Sequence, residues 1–126
     1  MEDLKYEELH SKIYNYLEKN QNEDIILLFR IFKIYKYDAI ELINRWAKLM
    51  NEEDKNYSSD WYNYIPTKEA EEATKQIGIE ADRIGGFPLM QTIFYLYINF
   101  VSDNEFKRVG TENLNYLWSG IGSWQA

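Results

Sequence analysis

Apolar residues recur along this chain mostly at intervals of three and four, the period of an α-helix rather than the alternation of a strand. Between Asp3 and Lys19, the residues Tyr6, Leu9, Ile13, Tyr16 and Leu17 share one face, with Glu, Lys, Ser and Asn between them. That spacing predicts an amphipathic surface helix. From Glu23 to Lys36 the chain is apolar nearly all round. Its β-branched residues would suit a strand, but its length and the Glu23–Asp24 pair at its start favour a buried helix, with acids at the positive end of the dipole. Arg30, Lys33 and Lys36 mark its one wet edge.

The clearest element follows. Asp38 is placed to cap a helix, with Glu41 at capping-box spacing. Ala39, Leu42, Ile43, Trp46, Leu49 and Met50 form its apolar stripe, and Glu41, Asn44, Arg45, Lys48 and Glu52 the polar one. The stretch from Asn51 to Pro66 has no helical period and reads as a loop. Thr67 then suits an N-cap, and Ala70, Ala73, Ile77, Ala81 and Ile84 give the next helix a narrow face of small residues. Gly85-Gly86 stops it, and Pro88 opens a further helix, apolar on all sides to Val101, which is expected to be the central one. Asp103 to Gly110 reads as a loop or irregular turn. Leu114, Leu117, Trp118 and Ile121 predict a last helix from about Thr111, frayed by Gly120 and Gly122.

The pattern gives an all-α fold: a single compact, bundle-like domain of five to six helices spanning 1–126. Length and composition agree. At 126 residues and 45% hydrophobic content the chain is long enough for one self-sufficient core. It has no cysteine, which excludes disulfide scaffolds, thiolate metal sites and cysteine nucleophiles. The acidic start MEDLKYEELH lacks the basic end and apolar run of a secretory signal. The apolar segments Ile25–Tyr35 and Phe87–Val101 each fall short of the roughly 20 residues of a membrane span. A cytoplasmic location, with no membrane partner, is the expectation.

A formal charge of −7 disfavours nucleic acid and would speed encounter with a basic protein. The only histidine, His10, follows Glu7 at the Glu-x-x-His spacing of di-iron bundles, but such sites need a second motif with a second histidine. The acid clusters at Glu52-Glu53-Asp54, Glu69/Glu71/Glu72 and Asp103/Glu105 lack the ligand pattern of a calcium loop. No nucleophile elbow or phosphate-binding glycine loop occurs. No cofactor, metal or catalytic residue is assigned, and an enzyme is the less favoured reading.

One segment stands out as a candidate site. Tyr57, Trp61, Tyr62 and Tyr64 fall within eight residues, with Ser58, Ser59, Asp60 and Asn63 among them. Tyr and Trp give large contact area for little lost entropy. Tyr57, Asp60, Trp61, Tyr62 and Tyr64 are therefore expected either to bind a partner or to fold back as a lid on the core.

Gly85-Gly86-Phe87-Pro88-Leu89-Met90-Gln91 and Trp118-Ser119-Gly120-Ile121-Gly122-Ser123-Trp124 resemble the GG-x-x-LMQ turn and terminal W-x-G-I-G-x-W of small, uncharacterised all-α bacterial proteins. The resemblance covers the last third of the chain. It implies a bacterial helical fold and a structural job for both motifs, and no activity. From charge, size and the aromatic segment, the function expected is protein–protein interaction, as an acidic inhibitor or immunity-type protein that neutralises a basic partner. The alternatives are an interhelical pocket using carboxylates and tyrosines, for a small molecule or for catalysis, and a structural subunit of a helical oligomer.

Overall fold

The computed structural model describes residues 3–56, 65–102 and 105–125, and among these it contains five α-helices and no strand. They are α1 (Tyr6–Lys19), α2 (Glu23–Ile34), α3 (Lys36–Asn56), α4 (Lys68–Leu96) and α5 (Glu105–Glu112). A π-helical turn, Tyr97–Val101, continues α4, and a 3₁₀ turn, Asn113–Trp118, follows α5.

The periodic stripes become the buried faces. Leu9 and Ile13 of α1 are buried, with Tyr6, Tyr16 and Leu17 packed beside them. Leu42, Ile43, Trp46 and Met50 of α3 are buried, as are Ala70, Ile77 and Ala81 of α4. The small side chains let α3 and α4 pack closely along their length; they form the most extensive helix pair. Arg45 and Glu80 join the two at the surface, Arg45 Nη2 donating to Glu80 Oε2 at 2.6 Å. The segment after the glycine pair is the central one, as its pattern implies: Leu89, Met90, Ile93, Leu96, Tyr97 and Ile98 are all buried.

Local chemistry explains the helix ends. Asn22 caps α2, its side chain accepting from the amides of Asp24 and Ile25. Thr67 caps α4, its hydroxyl accepting from the Ala70 amide at 3.1 Å. Asn44, read as a surface residue of α3, instead exchanges two 2.8 Å hydrogen bonds with the backbone of Leu4 and ties the N-terminal segment to α3.

Four expectations need correction. Asp38 does not cap α3, because Tyr35 alone separates α2 from α3 and the helix starts at Lys36. The helix also runs on to Asn56, six residues into the expected loop. Beyond Met50, Glu53 supplies a reason: it is buried, and its two carboxylate oxygens accept from the amide and hydroxyl of Thr67 at 3.2 and 3.3 Å. Third, the segment expected as a loop before Gly110 is helical as α5, while the last expected helix tightens into the 3₁₀ turn. Fourth, α2 is not buried all round. Ile25, Phe29 and Phe32 enter the core, but Leu27 is 57% and Ile34 68% exposed, because neighbours cover only its inner side.

The glycine pair acts as a hinge between two helical stretches of α4. Gly86 has φ 67° and ψ −162°, a conformation essentially confined to glycine. By length and composition alone the stretch Lys68–Val101 could cross a membrane, with a mean hydropathy of 1.3 in its most apolar window. The kink at Gly86 divides it, and 39% of that window is already buried inside the protein.

Two outcomes check this architecture. Gly86→Ala should lower the unfolding free energy by about 1–3 kcal/mol in urea denaturation, since a Cβ there meets only Pro88 at 3.7 Å and the penalty is one of backbone conformation. The Arg45 hydrogen bond holds the Glu80 carboxyl below its ordinary 4.5, against the opposing effect of burial. A depressed carboxylate stabilises the fold above its unfolded pKa and loses that contribution as pH falls through the folded one. Glu80→Gln should therefore be less stable than wild type at pH 7, by no more than about 1 kcal/mol at this exposed site. The difference should shrink below the ordinary carboxylate range and vanish once pH has fallen through the depressed Glu80 pKa.

Candidate functional site

The aromatic segment singled out by sequence, with Tyr57, Asp60, Trp61, Tyr62 and Tyr64, lies outside the described residues. Its two ends are nevertheless joined. Glu53, in the last turns of α3, accepts both hydrogen bonds from Thr67, which caps α4. The side chain that ties the end of α3 to the start of α4 is thus a buried carboxylate.

The described residues form a second candidate, a groove of about 670 Å³ between α2, the far half of α4, α5 and the C-terminal Trp124. Its construction follows from three local features. At the start of α2, the Asn22 cap fixes Asp24 one turn before Leu27 and Leu28. Along α4, Gln91, Phe94, Tyr95 and Ile98 recur at i, i+3, i+4 and i+7 and so share a face. The π-helical turn widens that face by one residue and brings Asn99 to the rim, its side chain donating to the Tyr95 carbonyl at 3.0 Å. Turns of this kind are frequent at functional sites.

The floor is held by an aromatic knot. Trp118 is 1% exposed and packs 5.2 Å from Trp46 and 5.6 Å from Phe94. Its indole N–H donates to the Thr74 carbonyl at 2.8 Å. Trp124 lies edge-on to Trp118 at 5.0 Å and contacts Phe94 at 5.4 Å, while its own N–H donates to the Asn115 carbonyl. Two parts of the chain's terminal Trp pattern therefore build one wall of the groove. Gly78 makes the approach possible: a Cβ there would stand 2.8 Å from the Trp118 ring. Nothing in the local pattern singles out Gly78, because a glycine inside a helix signals close approach without naming what approaches.

The chemistry of the groove is mixed. Leu27, Leu28, Phe94, Tyr95, Ile98 and Trp124 supply apolar and aromatic surface, and Asp24, Gln91, Asn99, Arg108 and Glu112 supply polar groups. Arg108 donates to Glu112 at 3.0 Å across one turn of α5. Burial chiefly, then the neighbouring Tyr16 and Asp24, push the Tyr95 phenol above its ordinary 10.0, so it remains a neutral hydroxyl at physiological pH. Asp24, Leu27, Gln91 and Asn99 are exposed and leave the mouth wide.

His10 lies elsewhere, half-buried between Tyr6 and Phe29 with ring centroids 5.7 and 4.8 Å away. Among the described residues no group of three His, Asp or Glu is gathered to hold a metal ion. Compared with known proteins, the chain matches no family model, no curated protein and no solved structure.

The dependence of the groove on the Trp118 seat is testable. Gly78→Ala gains about 1 kcal/mol of helix propensity but forces the indole off its seat, at a cost of about 1–3 kcal/mol. Net destabilisation, with an altered tryptophan emission spectrum, is expected from urea denaturation followed by fluorescence. A more stable variant with an unchanged spectrum would contradict the seat.

Proposed function

We propose that this chain is a protein-binding domain that captures a basic segment of another protein, in the manner of an acidic inhibitor or immunity-type protein. The observation that carries this reading is the composition of the groove: an aliphatic and aromatic floor with carboxylates at its edge, in a chain of charge −7. Lysine and arginine have the matching two-part character, a hydrocarbon stem and a cationic tip. The stem would lie over Leu27 and Phe94, and the tip would meet Asp24 or an aromatic face of Tyr95 or Trp124. The Arg108–Glu112 pair is an example of a guanidinium lying beside a carboxylate at this same edge. The acidic field would raise the association rate at low salt. The absence of cysteine fits action in a reducing compartment such as the cytoplasm.

A small-molecule or catalytic role in the same groove has less support. Its carboxylate Glu112 is paired with Arg108, Tyr95 is held neutral, and the wide mouth suits a protruding side chain better than an enclosed ligand. The aromatics Tyr57, Trp61, Tyr62 and Tyr64, with Asp60, remain a second candidate anchor for the same partner.

Tagged chain used as bait in its native host should bring down a basic protein in stoichiometric amount. Titrating that purified protein then locates the contact. Asp24→Lys and Leu27→Ser, both exposed and so tolerant of change, should each weaken binding about tenfold or more, about 1.4 kcal/mol. The wild-type affinity should fall as salt rises. Normal binding by these two variants alongside weak binding by Trp61→Ala and Tyr64→Ala would move the contact to the aromatic segment. An acidic partner, or binding indifferent to salt, would end the proposal.

A further inference from the structure

Among the described residues the outer face of α2 has no neighbour, although this is the most apolar of the five α-helices. At about 100° per residue, Glu23, Leu27, Arg30 and Ile34 fall within about 60° of one another, opposite the buried Ile25, Phe29 and Phe32. Their spacing of four, three and four is that of a helix–helix seam. Leu27 and Ile34 are 57% and 68% exposed, and Ile26 at 36% flanks them. Isolated exposed apolar residues are ordinary; here two share one helix face with charges of opposite sign, the make-up of a helix–helix seam.

Charge identifies the occupant. The chain as a whole carries −7, yet α2 itself is neutral, with Glu23 and Asp24 in its first turn and Arg30 and Lys33 toward its end. A partner surface of one sign would be repelled at one end of this helix, by Glu23 and Asp24 if acidic or by Arg30 and Lys33 if basic. A surface negative at one end and positive at the other is complementary to itself when turned end for end, which is the requirement of a two-fold interface. We propose that α2 is the seam of a homodimer in which two copies of this helix pack antiparallel. The contact centres near the middle of α2. It sets Glu23 of each copy against the Arg30–Lys33 end of the other, with Leu27 of both copies meeting near the centre, Ile34 at each outer edge and the two helix dipoles opposed.

The size of the seam sets its strength. Twelve residues span about 18 Å, less than a standard interface, so the dimer is a transient one. It should dissociate at micromolar rather than nanomolar concentration, the more so because like net charges oppose the approach of the two copies.

Sedimentation velocity of the full chain at moderate salt, from about 5 to about 500 μM, tests this directly. Wild type should shift from monomer toward dimer across the range. Ile34→Asp, Glu23→Arg and Arg30→Glu should each stay monomeric; all three sites are exposed and none lines the groove. The double variant Glu23→Arg/Arg30→Glu should regain self-association, because it exchanges the two charges without changing the pattern. Circular dichroism should show wild-type helix content for every variant. A wild type that stays monomeric at the highest concentration would overturn the proposal. So would a dimer indifferent to the three single changes, or a charge-exchanged double variant no better than its parents. Failure of the wild-type chain to capture a basic partner, with self-association intact, would sink the groove reading alone.

Discussion

The seating of Trp118 against α4 is the contact on which the rest of the C-terminal third depends. After α5 the chain makes only a short 3₁₀ turn and bends, structures with little intrinsic stability. What holds them is one indole: buried, hydrogen-bonded to a helix carbonyl, tilted against Trp46, and admitted by the missing side chain of Gly78. Burying a ring of that size contributes several kcal/mol. The knot has a cost, since Trp46 Nε1 and Thr74 Oγ1 are buried with no hydrogen-bond partner among the described residues. Each such orphan forfeits about 1–3 kcal/mol, so packing rather than polar satisfaction decides this region.

The groove is a consequence of that knot. Trp124 can wall it only because Trp118 is in place for it to lean on, and Phe94 touches both rings while lining the floor. On the other side the Asn22 cap and the buried face of α2 hold Asp24 and Leu27 in register with Phe94 and Tyr95. The two proposed surfaces therefore adjoin on the exposed part of α2 and share Leu27. Its flank faces the groove, and its crest carries the charge-symmetric stripe.

Where the sequence was misleading, tertiary contacts outweighed local preference. The run after Met50 has no apolar period, yet the helix continues because Glu53 finds the Thr67 cap, a partner fourteen residues away. Asn44 sits on a polar stripe and still makes a structural bridge, since its amide matches both backbone groups of Leu4. The apolar content of α2 was legible, but hydropathy counts residues without counting neighbours. It could not reveal that Leu27 and Ile34 would be left facing water.

By itself, the order of residues determined the helical class, the amphipathic faces of α1, α3 and α4, the cap at Thr67 and the break at the glycine pair. These depend on contacts within a few residues, where period and backbone preference act directly. The groove, the Trp118 seat and the bare crest of α2 were decided only by how the helices stack. They join residues as far apart as Asp24 and Trp124, and no local rule fixes which faces meet across that distance.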